Sequence, residues 1–220
     1  MSHKVSLRHQ TTLQHFCAGT LIHPQWVLTA AHCFTYTKDP KELLLQYGSN
    51  ALRPSKRKLV NVSEVLRHEG YSQTIAIHDI ALLRLEKEIM LDKADLALLA
   101  VDEYCREIPA SKESPLLVGW GLNATEGKLQ QQLHKVELNL INRTKCRQRT
   151  QSTIYGTNLC AGVTDGTVKG QCNGDSGGPL LLNRKQIGIV SWSLKPCGSY
   201  PGIFTNVGCY EKYLHCLTTD

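Results

Sequence analysis

The stretch QCNGDSGGPL, residues 171–180, sets Asp175 and Ser176 in a bend made from Gly174, Gly177, Gly178 and Pro179. Glycine takes backbone angles closed to other residues and lets a second chain come close, so this bend can display Ser176 as a nucleophile. A serine hydroxyl attacks only if a base removes its proton as it does so. Of the nine histidines in the chain, His32 stands apart. It sits in WVLTAAHC, 26–33, behind an apolar strand, with Ala30 and Ala31 on one side and Cys33 on the other. An imidazole in that role needs a carboxylate to fix its tautomer and stabilise its charged form. Asp79, in HDIALLRL at 78–85, qualifies, because an aspartate placed just before a buried strand is costly without a partner.

Around these residues the chain reads as one globular body of strands. Its 220 residues suffice for one large β domain or two small ones, and 41% hydrophobic with 20% charged residues argues against disorder. KVELNLI, 135–141, alternates Val136, Leu138 and Leu140 against Glu137 and Asn139, as a half-buried strand does. IALLRL, 80–85, and QIGIVSW, 186–192, are apolar runs that fit strands buried on both faces. One amphipathic helix closes the chain, with Tyr210, Tyr213, Leu214 and Leu217 on a single stripe. Many short strands and a terminal helix predict an all-β barrel or sandwich.

Nine cysteines without short paired C-x-x-C spacing argue for disulfides rather than zinc, and hence for an oxidising compartment. Asn61, Asn123 and Asn142 each open an N-x-S/T glycosylation triplet, which agrees with a secreted glycoprotein. The start, Met1-Ser2-His3-Lys4-Val5, has no apolar signal-peptide core. A net charge of +6 makes a polyanion or an acidic protein a candidate partner, although the lysines and arginines are spread along the chain. No run of about 18 apolar residues occurs, so no membrane partner is expected; nucleic acid is not an expected partner either.

LTAAHC, DIALLRL and GDSGGPL, in that order, resemble the chymotrypsin/trypsin-like serine proteases, with VGWG (118–121) and IVSW (189–192) in keeping. The resemblance runs from Val5 to the final helix. It implies one peptidase domain over 1–220, made of two packed six-stranded antiparallel β-barrels and a C-terminal helix. The first barrel, 1–104, would carry His32 and Asp79, and the second, 105–220, Ser176. It further implies a serine endopeptidase with no cofactor and no metal. Its catalytic residues would be His32, Asp79 and Ser176, its oxyanion donors the N–H groups of Gly174 and Ser176, and Ser191 would bond to Asp79. Cys17–Cys33, Cys146–Cys160 and Cys172–Cys197 match bridges of the family. Cys105 is expected with Cys209, about one residue out of place, and Cys216 is left as an odd thiol or a competitor for Cys105.

The substrate pocket would have Gly170 at its floor, where trypsins carry aspartate, with Ser191, Ser193 and Gly202 along its walls. Without a carboxylate, a basic substrate side chain would be desolvated unpaired, so an apolar one is expected. The loop ALRPSKRK, 51–58, is basic where trypsins bind calcium, which argues against that ion and leaves room for a polyanion. Protein substrates and protein protease inhibitors are the other expected partners. In the family, Asp175 pairs with an amine freed when a propeptide is cut before Ile-Val-Gly-Gly. This chain opens without that sequence, so a zymogen-like, nearly inactive state is expected of it. A non-catalytic homologue that binds proteins or polyanions is the alternative, and a structural glycoprotein a weaker one, since nothing in it needs a triad.

Overall fold

The computed structural model describes residues 3–37, 39–90, 96–101, 105 and 114–218, with side chains as far as 215. The first six strands are β1 (Lys4–His9), β2 (His15–His23), β3 (Trp26–Thr29), β4 (Leu43–Tyr47), β5 (Lys58–Arg67) and β6 (Ala81–Leu85). They close a barrel in the order β1-β2-β3-β6-β5-β4, sealed by the antiparallel pairing of β1 with β4. Closure leaves no strand edge to water. Its inside is filled by Val5, Leu7, Leu21, Val27, Leu45, Leu83 and Leu85, all buried. Within β6 only Arg84 is exposed, so IALLRL is buried on both faces apart from that residue.

The second half contributes β7 (Leu98–Leu99), β8 (Leu116–Gly119), β9 (His134–Glu137), β10 (Asn139–Leu140), β11 (Asn158–Gly162), β12 (Pro179–Leu182), β13 (Lys185–Ser193) and β14 (Gly202–Asn206). Seven of these run in the order β10-β11-β14-β13-β12-β8-β9 as an antiparallel, barrel-like sheet, and β7 adds in parallel to β13. Two barrel-like sheets and a short terminal helix are the expected all-β fold. The expected strand at 135–141 is broken into β9 and β10 at Leu138, whose N–H turns to the Pro115 carbonyl at 2.9 Å. A short helix, α1 (Arg143–Thr150), was not apparent from the sequence; Asn142 caps it by accepting from Lys145 N. The expected last helix is α2 (Glu211–Thr218), entered through a 3-10 turn at Val207–Tyr210. The expected barrel boundary between 104 and 105 falls in a stretch of which only Cys105 is described.

What positions the site is the seam between the sheets. Trp26, Leu28, Ile80 and Leu82 from the first pack with Ile189 from the second and with Val207, Tyr210 and Leu214 beneath them. Ile189 is fully buried there. Truncating a buried side chain loses its transfer free energy and leaves a cavity. Ile189→Ala is therefore expected to cost about 2–5 kcal/mol of unfolding free energy, read from the urea midpoint. A change below about 0.5 kcal/mol, the size of a surface substitution, would mean that the seam is not packed as described.

Candidate active site

His32 lies in a 3-10 turn, Ala31–Phe34, directly after β3, and Asp79 lies two residues before β6. Because β3 and β6 are hydrogen-bonded neighbours, the two segments leave the barrel side by side. Asp79 Oδ1 accepts from the His32 backbone N–H at 2.8 Å, and Oδ2 from the ring Nδ1 at 2.7 Å. The second sheet completes the shell. Ser191 on β13 donates its hydroxyl to Asp79 Oδ2 at 2.5 Å, and Thr205 on β14 donates to the Asp79 carbonyl at 2.8 Å. Burial alone pushes the Asp79 carboxyl up, but the hydrogen bonds and charge of His32, with the Ser191 hydroxyl, more than offset it and hold it below the usual carboxylate range. A carboxylate thus faces Nδ1, and among the described residues Nε2 makes no hydrogen bond.

The Ser176 turn is pressed onto the segment leading to His32. The Ser176 carbonyl accepts from Ala18 N at 2.7 Å, and Gly177 N donates to Val190 O at 2.9 Å. Gly177 has φ +76°, and a Cβ there would overlap Thr29 Oγ1 and the Ala18 carbonyl, so only glycine fits. Among the described residues, the N–H groups of Gly174 and Ser176 make no backbone hydrogen bond. Asp175 turns the other way, into the protein, and is 6% exposed. Its Oδ1 accepts from Gly121 N at 2.8 Å and its Oδ2 from Cys172 N at 3.0 Å. A Cβ on Gly119 or Gly121 would collide with this carboxylate. Burial pushes Asp175 up from the usual range, against the pull of Lys4 and the two N–H groups. A cavity of about 420 Å³, lined in part by Leu117, Val136, His134 and Gly170, opens beside it.

The expected pocket residues lie around this turn. Gly170 and Ser193 are half-buried, and Ser191 and Gly202 are buried. Sequence reasoning missed Gln171: its amide donates to the Trp192 carbonyl at 2.7 Å, and its Oε1 lies 2.6 Å from where a Gly202 Cβ would be. Its only signal was its place beside Gly170. The disulfides are Cys17–Cys33, Cys105–Cys209, Cys146–Cys160 and Cys172–Cys197. The Cys17, His32 and Cys33 ligand atoms lie within 4.8 Å of one another, but both sulfurs are bound in a disulfide. The Cys216 side chain and the chain start at Met1–Ser2 lie outside the described residues.

The trypsin family model matches residues 1–214. This chain belongs to the trypsin-like serine protease family. It is 31% identical to human kallikrein-4 over 206 residues, covering 90% of this chain and 76% of that protein. It is 33% identical to a trypsin from Phaedon cochleariae over 216 residues, covering 96% and 81%. The solved human heparin binding protein superposes with a TM-score of 0.81 at 27% identity, over all of this chain and 92% of the other.

This trypsin-family chain also buries a histidine behind the turn, which the sequence reading passed over. His15 on β2 is 6% exposed, with Nε2 at 2.9 Å from the Gly174 carbonyl and Nδ1 at 2.9 Å from Ser6 Oγ. A carbonyl can only accept, so Nε2 carries the proton and Nδ1 accepts from Ser6. Burial is the main cause that pulls its pKa down to about 4, with Lys4 and Arg8 adding to it and the bond to Gly174 opposing. Between 6.5 and about 4 the unfolded chain takes a proton that the folded one refuses, so stability falls as pH falls through that window. The loss is expected to be on the order of 3 kcal/mol. Urea midpoints from pH 7 to 4 should drop more steeply in the parent than in His15→Gln, and equal slopes would contradict the assignment.

Proposed function

We propose that this chain is a serine endopeptidase in which Ser176 is the nucleophile, His32 the general base and acid, and Asp79 the residue that orients His32. The observation that carries this reading is the 2.7 Å bond from His32 Nδ1 to the buried Asp79 in a chain of the trypsin family. Ser176 Oγ attacks the peptide carbonyl carbon while His32 Nε2 takes its proton. The oxyanion so formed is met by the N–H groups of Gly174 and Ser176, which point to no other backbone partner among the described residues. The C–N bond then breaks as His32 returns the proton to the leaving amine. Water, deprotonated by His32, hydrolyses the acyl-enzyme and frees Ser176. We read residues 1–220 as a single peptidase domain.

The same reading extends to substrate and setting. Gly170 supplies no charge to the pocket, and Ser193 and the Gln171 side chain narrow it, which supports cleavage after a small or apolar side chain rather than after Lys or Arg. Four disulfides and the exposed Asn61, Asn123 and Asn142 fit a secreted glycoprotein met by protein substrates and protein inhibitors. A second reading, a non-catalytic homologue that binds proteins or polyanions, draws on Arg53, Lys56 and Arg57, exposed on one loop, with Lys58 exposed at the start of β5, and on the likeness to human heparin binding protein.

A fluorophosphonate separates the two. It is expected to label the parent protein, slowly while the chain is zymogen-like, and not Ser176→Ala, with Asp79→Asn slowed further, by about 10⁴-fold, through the wrong imidazole tautomer, as in other enzymes with this triad. Labelling that survives Ser176→Ala would remove Ser176 from the mechanism, and no labelling of the parent would favour the second reading. In a peptide library, cutting mainly after Lys or Arg would refute the pocket assignment.

A further inference from the structure

The barrel face that carries Lys4 should be wet by strand alternation, yet Lys4 is 2% exposed. Its ammonium donates to the Val118 carbonyl at the end of β8 and stands 5.1 Å from the centre of the Trp120 ring. Nζ is 3.2 Å from the position that a Gly178 Cβ would occupy, and the Asp175 carbonyl oxygen is 2.8 Å from that same point. The lysine therefore backs the Asp175–Gly178 turn directly. Just beyond Val118 in the chain, the Asp175 carboxylate is seated against Gly119 and Gly121. Among the described residues no ion-pair partner lies within 4.0 Å of Asp175, so its two N–H bonds do not by themselves balance its charge.

We propose that Lys4 supplies the buried positive charge that holds Asp175 inward and so fixes the turn on which Gly174 and Ser176 present their N–H groups. Lys4 is a positioning residue: it touches neither substrate nor reacting atoms. Its importance for catalysis rests on the endopeptidase reading, but the Lys4–Asp175 coupling does not.

The charges around it decide how it titrates. Asp175 faces it from the turn and His15 from β2, with Arg8 of its own strand acting on His15, while His134 on β9 also bears on Asp175. Burial lowers the Lys4 ammonium to about 8, with Asp175 opposing. His15, held near 4, is neutral above pH 7. The pairing is therefore present at neutral pH and is lost as pH rises through about 8.

The test is a double-mutant cycle in the full chain, Lys4→Met against Asp175→Asn, read by urea unfolding at pH 7 and near pH 10. Coupled residues give interaction energies well above experimental scatter. The expected coupling is about tenfold in the unfolding constant at pH 7, falling below about twofold at the higher pH as Lys4 loses its charge. Additive effects at pH 7, or a coupling that does not change with pH, would overturn the proposal, since packing of the lysine stem is blind to its proton. If Asp175→Asn does not fold, fluorophosphonate labelling against pH decides. The parent rate is expected to fall above pH 8 and the Lys4→Met rate to be at least about tenfold lower at pH 7 without that fall; matching profiles would overturn it. A parent that never labels while the cycle still shows coupling would defeat the endopeptidase reading and leave the pairing standing.

Discussion

Asp79 is where the two halves of the molecule meet. Its carboxylate takes two bonds from His32 on the first barrel and one from Ser191 on the second sheet, and its carbonyl takes another from Thr205. A carboxylate at 2% exposure is tolerable only with its lone pairs occupied. That requirement fixes the spacing of the sheets at the seam and the ring plane of His32 in one stroke. The apolar cluster of Leu28, Ile80, Ile189 and Tyr210 supplies the burial, and the aspartate supplies the register.

The second constraint lies across the Asp175–Gly178 turn. Ser176 is half-buried and its carbonyl is held by Ala18 N, while its neighbour Asp175 is drawn inward by Gly121 N and Cys172 N. Consecutive residues pulled in opposite directions need Gly174 at φ +95° and Gly177 at φ +76° to make the bend. Behind it stand the polar side chains Lys4, Ser6 and His15, each 6% exposed or less. They are affordable because each is bonded, and they make the turn sensitive to charge in a way that an apolar backing would not.

How much of this the sequence revealed depends on which physical signal each residue left. His32, Asp79 and Ser176 stand in short contiguous motifs whose chemistry can be named from residue types, and the strands around them carry apolar runs. Lys4, Ser6 and Arg8 left no such mark. They alternate with the core residues Val5 and Leu7, so period-two reading assigns them to water, whereas Val118 of the second sheet covers Lys4, His15 covers Ser6, and the Leu13 and Leu52 carbonyls cover Arg8. Helix α1 escaped because it buries only Cys146 and Thr150 and has no apolar stripe. The break at Leu138 is a matter of tertiary bonding: its N–H follows Pro115, which nothing local encodes. Gln171 was hidden by position, since the residue next to it seemed to carry the pocket.

The central claim, that one turn presents Ser176 as nucleophile and two N–H groups as oxyanion donors, is tested most directly by a crystal structure of the fluorophosphonate adduct. The account predicts phosphorus bonded to Ser176 Oγ, its phosphoryl oxygen about 2.7–3.1 Å from the N atoms of Gly174 and Ser176, and Asp175 still turned inward. Phosphorus on another residue, or a phosphoryl oxygen out of reach of both N–H groups, would contradict it.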